Sequence, residues 1–134
     1  ETESVMLRID SDLLAHMAAA ARGNLSAEAI KVSGRAAVTA IIVSGGYPEK
    51  YAKGYPVSGL EALTDITVFH AGTAMKDGRL VTSGGRVLAL SATGETLPDA
   101  RDRVYSRVDT VSFEEAFHRS DIALDMINWP AGKR

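Results

Sequence analysis

The sequence has 134 residues, of which 46% are hydrophobic and 24% charged, with a net charge of −2. This is enough chain for one globular domain and too little for a large multidomain enzyme, and its interspersed charge argues against a nucleic-acid groove, which needs a basic excess. The longest apolar run, 36–43 broken only by Thr39, falls far below the roughly 20 residues that cross a bilayer, and the lack of cysteine excludes disulfides, thiolate zinc sites and cysteine nucleophiles.

Met6, Ile9, Leu13, Met17 and Ala20 recur at three- and four-residue steps and predict one helix with an apolar face. Asp10 or Ser11 would cap its main run, and Gly23-Asn24 would stop it, since glycine suits a left-handed C-terminal residue. Asp12 near its start and Arg22 near its end suit the helix dipole. Residues 24–35 are polar and mixed and read as a connector. Ala36-Ala37-Val38-Thr39-Ala40-Ile41-Ile42-Val43 is short, apolar and β-branched, as in a strand buried on both faces. It ends at Ser44-Gly45-Gly46-Tyr47-Pro48, and the following twenty residues read as a long surface excursion.

Residues 66–70 form a second strand candidate. A hairpin follows over 73–76 and 79–83, its turn at Asp77-Gly78, a pair that readily takes positive φ. Gly84-Gly85 interrupts, and 86–93 continues as a strand. Thr96 and Asp99 have capping-box spacing, and Pro98 is tolerated in a first turn. Leu97, Ala100, Val104, Val108 and Val111 then hold one apolar stripe, while Arg101, Asp102 and Arg107 face outward. Residues 121–127 suggest a short last helix before Trp129-Pro130. The sum is an α+β domain, a mostly antiparallel sheet with a helix packed over it, behind a helical arm.

Chemistry concentrates in two segments that echo each other, Ser44-Gly45-Gly46-Tyr47 and Ser83-Gly84-Gly85-Arg86. Paired glycines let successive N–H groups converge on an anion, to which Arg86 would add a bidentate contact. The plainer reading is that both pairs are turns or bulges that serve the sheet. His16, His70 and His118 lack metal-ligand spacing and an assignable partner, so structural or surface roles are expected. Asp109 and Glu114-Glu115 resemble an acid/base couple but fit a solvated face better. Phe113, Phe117 and Trp129 read as core or docking residues. Tyr47, Tyr51 and Tyr55, with Lys50 and Lys53, lie in a loop that covers either a ligand or another domain, or is ordinary surface.

The order of several motifs resembles the glycinamide ribonucleotide synthetase (phosphoribosylamine–glycine ligase) family along nearly the whole chain. The carriers are Glu1-Thr2-Glu3, Met6-Leu7-Arg8, Ser11-Asp12-Leu13-Leu14, Ser44-Gly45-Gly46-Tyr47-Pro48, Val68-Phe69-His70-Ala71-Gly72-Thr73, Val81-Thr82-Ser83-Gly84-Gly85-Arg86-Val87-Leu88 and Arg119-Ser120-Asp121-Ile122. Ser83 stands where the family often has Asn, and the family often has a further Arg and a Gly near Ser120 and Ala123.

The resemblance implies the C-terminal part of an ATP-grasp ligase. Residues 1–33 would be the terminal helix and linker of the ATP-grasp core. Residues 34–134 would be a closing C-terminal domain of the type likened to the hybrid-motif domain of biotin carboxylase. The implied reaction, in purine (IMP) biosynthesis, joins glycine to 5-phosphoribosylamine with ATP, giving glycinamide ribonucleotide, ADP and phosphate. ATP and Mg2+ (or Mn2+) would be bound mainly outside this chain, because the family's magnesium-binding Glu and Asn lie just before Glu1. The opening at Glu1 fits a chain processed or shortened upstream, and activity of the piece alone is not expected. The implied partners are the missing N-terminal and ATP-grasp domains, glycine and 5-phosphoribosylamine, with no nucleic acid or membrane. A cytoplasmic setting is expected, no catalytic residue or metal ligand is expected here, and Gly45, Gly46, Tyr47, Gly84, Gly85 and Arg86 would line the substrate cleft. The alternative is a stand-alone binding module with the same fold.

Overall fold

Alternating β-branched and small residues make Ala36–Val43 a strand, β1, and set the two faces of the sheet. The computed structural model describes residues 1–25 and 29–129. The other elements are α1 (Thr2–Met6), α2 (Leu13–Ala21), β2 (Thr67–His70), β3 (Thr73–Lys76), β4 (Arg79–Thr82), β5 (Arg86–Gly94), α3 (Leu97–Tyr105), β6 (Phe117–His118) and α4 (Leu124–Ile127). One antiparallel sheet runs β2-β5-β1-β6, and β3 and β4 form a separate hairpin. The architecture is the expected α+β one.

The core lies between this sheet and α3. Val38, Ala40 and Ile42 pair with Ala92, Leu90 and Leu88, and these residues pack with Ala100 and Val104 of α3, all buried. β1 is not buried on both faces as expected. Thr39, Ile41 and Val43 are only half-buried, because α1 covers their side of the sheet in part. A chain of hydroxyls fixes that cover: Ser4 Oγ lies 2.7 Å from Thr39 Oγ1, which lies 2.7 Å from the fully buried Ser91 Oγ.

The arm departs from the expected single helix. Between α1 and α2 the backbone opens out and pairs with the connector: Asp10 N–H donates to Lys31 O at 2.9 Å and Ser33 N–H to Arg8 O at 2.7 Å. Asp12, rather than Asp10 or Ser11, caps α2 by accepting from Ala15 N–H at 3.0 Å. Gly23 does take the left-handed conformation, φ 69°. The apolar periodicity was thus spread over two short helices, and Met6 and Met17 remain exposed.

The capping box of α3 forms as expected, with Asp99 N–H donating to Thr96 Oγ1 at 3.2 Å and Thr96 N–H to Asp99 Oδ2 at 3.1 Å. The helix ends at Tyr105, earlier than its stripe. Val108 and Val111 stay buried from a 3-10 turn, Val108–Thr110, and the extended residue that follows it.

Arg101 and Arg107 do not simply face solvent. Arg101 donates to the carbonyls of Ile122 (3.0 Å) and Ser120 (2.6 Å) and lies 4.2 Å over the Tyr105 ring. Arg107 grips Asp65 with two nitrogens, the shortest contact 2.9 Å. Long stems let these guanidiniums lie along the surface and satisfy loop acceptors.

The segment after β1 is also more than surface. Leu63 is buried, and Tyr55, Val57 and Leu60 pack against the core. Phe113 is buried while Phe117 and Trp129 are exposed. Pro130 and part of the connector, 26–28, lie outside the described residues. Ala123, where the resembled family often has glycine nearby, is left-handed at φ 69° just before α4.

Candidate functional site

Antiparallel pairing brings the end of β1 beside the start of β5, so the two glycine-rich turns meet. Ser44 stitches them: its N–H donates to Gly85 O at 2.8 Å and its Oγ to Gly84 O at 3.0 Å. A third turn, 71–72, joins them. Gly72 N–H donates to Arg86 O at 2.7 Å, while Ser83 and Gly84 N–H donate to Gly72 O at 2.7 and 3.2 Å.

The glycines serve close approach. A Cβ on Gly85 would run into the Tyr47 ring, one on Gly45 would sit 2.6 Å from Glu115 Cβ, and one on Gly72 would sit 2.5 Å from Arg86 O. Gly46 has φ 86°, which suits glycine, and a Cβ there would strike Lys50 O. The Gly84 N–H is therefore occupied within the fold. For that pair the turn-and-bulge reading describes what the backbone does.

Arg86 owes its direction to a bulge. Ile42 pairs with Leu88 but Val43 pairs with Arg86, leaving the fully buried Val87 as the extra residue. Strict alternation from Leu88 would have turned Arg86 into the core. Instead it joins the face of Ile41 and Val43. There it borders two cavities. One, about 360 Å³, is lined by Thr39, Ile41, Val43, Tyr47, Phe117 and Ile122 together with Arg86, His118 and Arg119. The other, about 450 Å³, is lined by Glu3, Tyr47, Gly72, Gly85 and Arg86 with apolar neighbours.

The charges differ in availability. Arg119 is clamped by Asp121, with Nη2 to Oδ2 at 2.7 Å and Nε to Oδ1 at 2.9 Å. That hydrogen bonding holds the Asp121 carboxyl below its usual value and raises Arg119. Among the described residues, no carboxylate closes on Arg86 within ion-pair distance. His118 Nε2 lies 3.2 Å from Asp109 Oδ1, and its ring meets Tyr105 edge-on.

The remaining candidates scatter. His70 pairs with Thr73 Oγ1 at 3.0 Å, and His16 is buried against Ser11 Oγ at 3.0 Å. Tyr47 stacks obliquely on Tyr51, 6.0 Å between centroids, and Lys53 lies over Tyr51. Tyr55 leaves this cluster for the core, and its phenol is raised by burial and then by Glu114 and Glu115.

Thus Gly45, Gly46, Tyr47, Gly84, Gly85 and Arg86 fall in one place. Residue reading missed Glu3, Thr39, Ile41, Val43 and Phe117 as cavity walls. The alternation of β1 marks Thr39, Ile41 and Val43 as one face; Glu3 has no local signal, because its place depends on how α1 lies on the sheet.

Comparison with known proteins gives a consistent picture. Residues 37–125 match the family model for "Phosphoribosylglycinamide synthetase, C domain". The phosphoribosylamine–glycine ligase of Rhizobium meliloti (strain 1021) is 46% identical over 91% of this chain and 29% of its own length. That of Caldanaerobacter subterraneus subsp. tengcongensis is 38% identical over 92% of this chain and 30% of its own. The bifunctional purine biosynthetic protein PUR2,5 of Pichia angusta is 39% identical over 92% of this chain and 16% of its own. The crystal structure of phosphoribosylamine–glycine ligase from Thermotoga maritima superposes with a TM-score of 0.72 at 34% identity, covering 81% of this chain and 27% of that one. The chain thus spans about 30% of the length of the single-function ligases it matches.

Proposed function

The chain belongs to the phosphoribosylglycinamide synthetase C-domain family, and from that premise we propose that it is the C-terminal portion of a phosphoribosylamine–glycine ligase acting in purine biosynthesis. In the whole enzyme the γ-phosphoryl group of ATP passes to the glycine carboxylate, giving an acyl phosphate and ADP. The amine of 5-phosphoribosylamine then attacks that carbonyl carbon and phosphate leaves. Among the described residues no three His, Asp or Glu gather where they could hold a metal ion. Magnesium and ATP would be held mainly by the ATP-grasp domain, outside this chain.

The part of this chain is to wall the substrate cleft. Gly45, Gly46, Tyr47, Gly84 and Gly85 shape the wall, and Arg86 meets an anion. The observation that carries this reading is the Arg86 guanidinium, turned out of the core by a bulge and without a carboxylate partner among the described residues, at the junction of two cavities.

Residues 1–33 are assigned to the ATP-grasp core. Val5, Met6, Leu14, Met17, Leu25, Ile30 and Val32 are exposed within that stretch, which supports its docking on a further body. No described helix is long and apolar enough to cross a membrane, and a cytoplasmic setting goes with the pathway. The test is glycine-dependent ADP formation with 5-phosphoribosylamine and Mg-ATP by the full-length ligase and its Arg86→Ala variant. A rise of 10-fold or more in KM for glycine or 5-phosphoribosylamine is expected, the loss of one charge-assisted contact. An unchanged KM for both removes Arg86 from the cleft.

A further inference from the structure

Ser44 is a polar residue only 2% exposed, just past the end of β1 and beside the irregular start of β5. A bulge leaves the ladder locally disrupted, so the direction of the residues next to it has to be held by other bonds. Ser44 supplies them. Its N–H donates to Gly85 O at 2.8 Å and its Oγ to Gly84 O at 3.0 Å, so one residue holds both carbonyls that precede Arg86. Its own carbonyl accepts from Tyr47 N–H at 3.1 Å, which ties the turn after β1 to the same point. Gly84 and Gly85 have no side chains to anchor the backbone there. On the far side of the pair, Gly72 N–H holds Arg86 O at 2.7 Å. The backbone that aims Arg86 is thus tethered before and after that residue, and one tether is a hydroxyl.

We propose that Ser44 is a positioning residue of the ligase: through the Gly84 and Gly85 carbonyls it sets the direction of the Arg86 guanidinium. It lines neither of the two cavities that Arg86 borders, so it acts through Arg86 rather than on a substrate. The inference rests on the reading of Arg86 as part of the cleft wall and goes beyond it by naming what aims that wall. Alanine at position 44 keeps the N–H that meets Gly85 O and takes little less room, but it leaves Gly84 O without the hydroxyl. A small rotation of the peptide between the glycines is then carried along the Arg86 side chain to its far end. The charge stays, while a two-pronged contact, which needs fixed geometry, weakens.

The test uses the full-length ligase with Ser44→Ala and Ser44→Cys, each alone and combined with Arg86→Ala. It measures kcat, the KM values for glycine and for 5-phosphoribosylamine, and the melting temperature. Ser44→Ala is expected to raise about 3- to 10-fold the same KM that Arg86→Ala raises, with kcat unchanged, as loss of a binding contact does. In the Arg86→Ala background it should add no further rise, because two residues acting through one contact are not additive. Ser44→Cys, whose thiol is a weaker donor, should fall between serine and alanine, and it carries the same comparison should the alanine enzyme fail to fold. A Ser44→Ala enzyme that melts lower but keeps the wild-type KM where Arg86→Ala moves it shows a structural serine; the proposal then falls and the cleft reading stands. An equal rise with and without the guanidinium also overturns it, since Ser44 would act by another route. If Arg86→Ala moves neither KM, the cleft reading and this proposal fall together.

Discussion

Replacing Gly85 by alanine tests the claim that the glycine exists to seat Tyr47. A Cβ at this position would overlap Tyr47 Cδ2 and come within 2.7 Å of Tyr47 Cε2 and 3.0 Å of Tyr51 Cε1. No left-handed φ is involved, so the obstacle is the ring alone. Forcing an extra methyl into a packed contact costs about 1–3 kcal/mol. Tyr47 is 39% exposed and has space to swing outward, which puts the expected loss near the lower half, about 1–2 kcal/mol. For a chain of this size that lowers the melting temperature by roughly 5 °C.

The same substitution in a Tyr47→Ala background should behave oppositely. With the ring gone, alanine merely restricts the unfolded chain and stabilises by about 0.4–1 kcal/mol, less whatever Tyr51 must yield. Urea denaturation of the wild type, both single variants and the double variant completes the cycle. A coupling of about 1.5–2.5 kcal/mol is expected. An equal cost of Gly85→Ala in both backgrounds would refute the reasoning, since the penalty would then come from the backbone rather than the ring.

The capping box of α3 should be worth about 1 kcal/mol, so Thr96→Ala is expected to lower the urea midpoint without changing the slope, while Thr96→Ser should leave both nearly unchanged. The Arg107–Asp65 clamp predicts an acid dependence whose sign follows from its cause. The Arg107 hydrogen bond, opposed by burial and aided by its charge, holds Asp65 below the usual carboxylate value. Its contribution is therefore present above the unfolded pKa near about 3.9 and is lost as pH falls through the lower folded value. Melting curves of wild type and Asp65→Asn should differ by a constant amount from neutral pH to roughly pH 4 and converge below it. A gap that widens on acidification would be the wrong sign for this mechanism.

What was legible in the sequence was what neighbours along the chain decide. Thr96 and Asp99 are three apart, so their reciprocal capping needs nothing distant, and Asp77-Gly78 takes φ of 50° and 73° in its turn as that pair allows. The strand 36–43 was found because its composition alone favours it. What was not legible depended on partners far away. The apolar period through Met6, Ile9 and Leu13 is genuine, yet Ile9 is drawn into a bridge with Val32, and that competing pairing splits the helix. Arg101 and Arg107 look like solvent-facing residues until loops at 120–122 and at Asp65 present acceptors. Leu60 and Leu63 sit in a stretch rich in Gly, Pro and Tyr, and their burial follows from the path of the loop rather than from its composition.

The cleft combines both kinds of information. Ser44 follows β1 and Gly85 precedes β5, so any antiparallel pairing of these strands in register must bring the two turns together, and the echo between them becomes a contact. The direction of Arg86 is a different matter. Counting alternate residues back from Leu90 sends it into the core, where an unpaired guanidinium would cost far more than the pairing of one strand end can repay. The extra residue at Val87 removes that conflict, burying an apolar side chain and releasing the charged one to the opposite face. The burial pattern of β5, with an exposed Arg86 followed by a buried Val87 and Leu88, is therefore what a bulge must produce at that point. The charged wall of the cavity thus exists because the strand is irregular there.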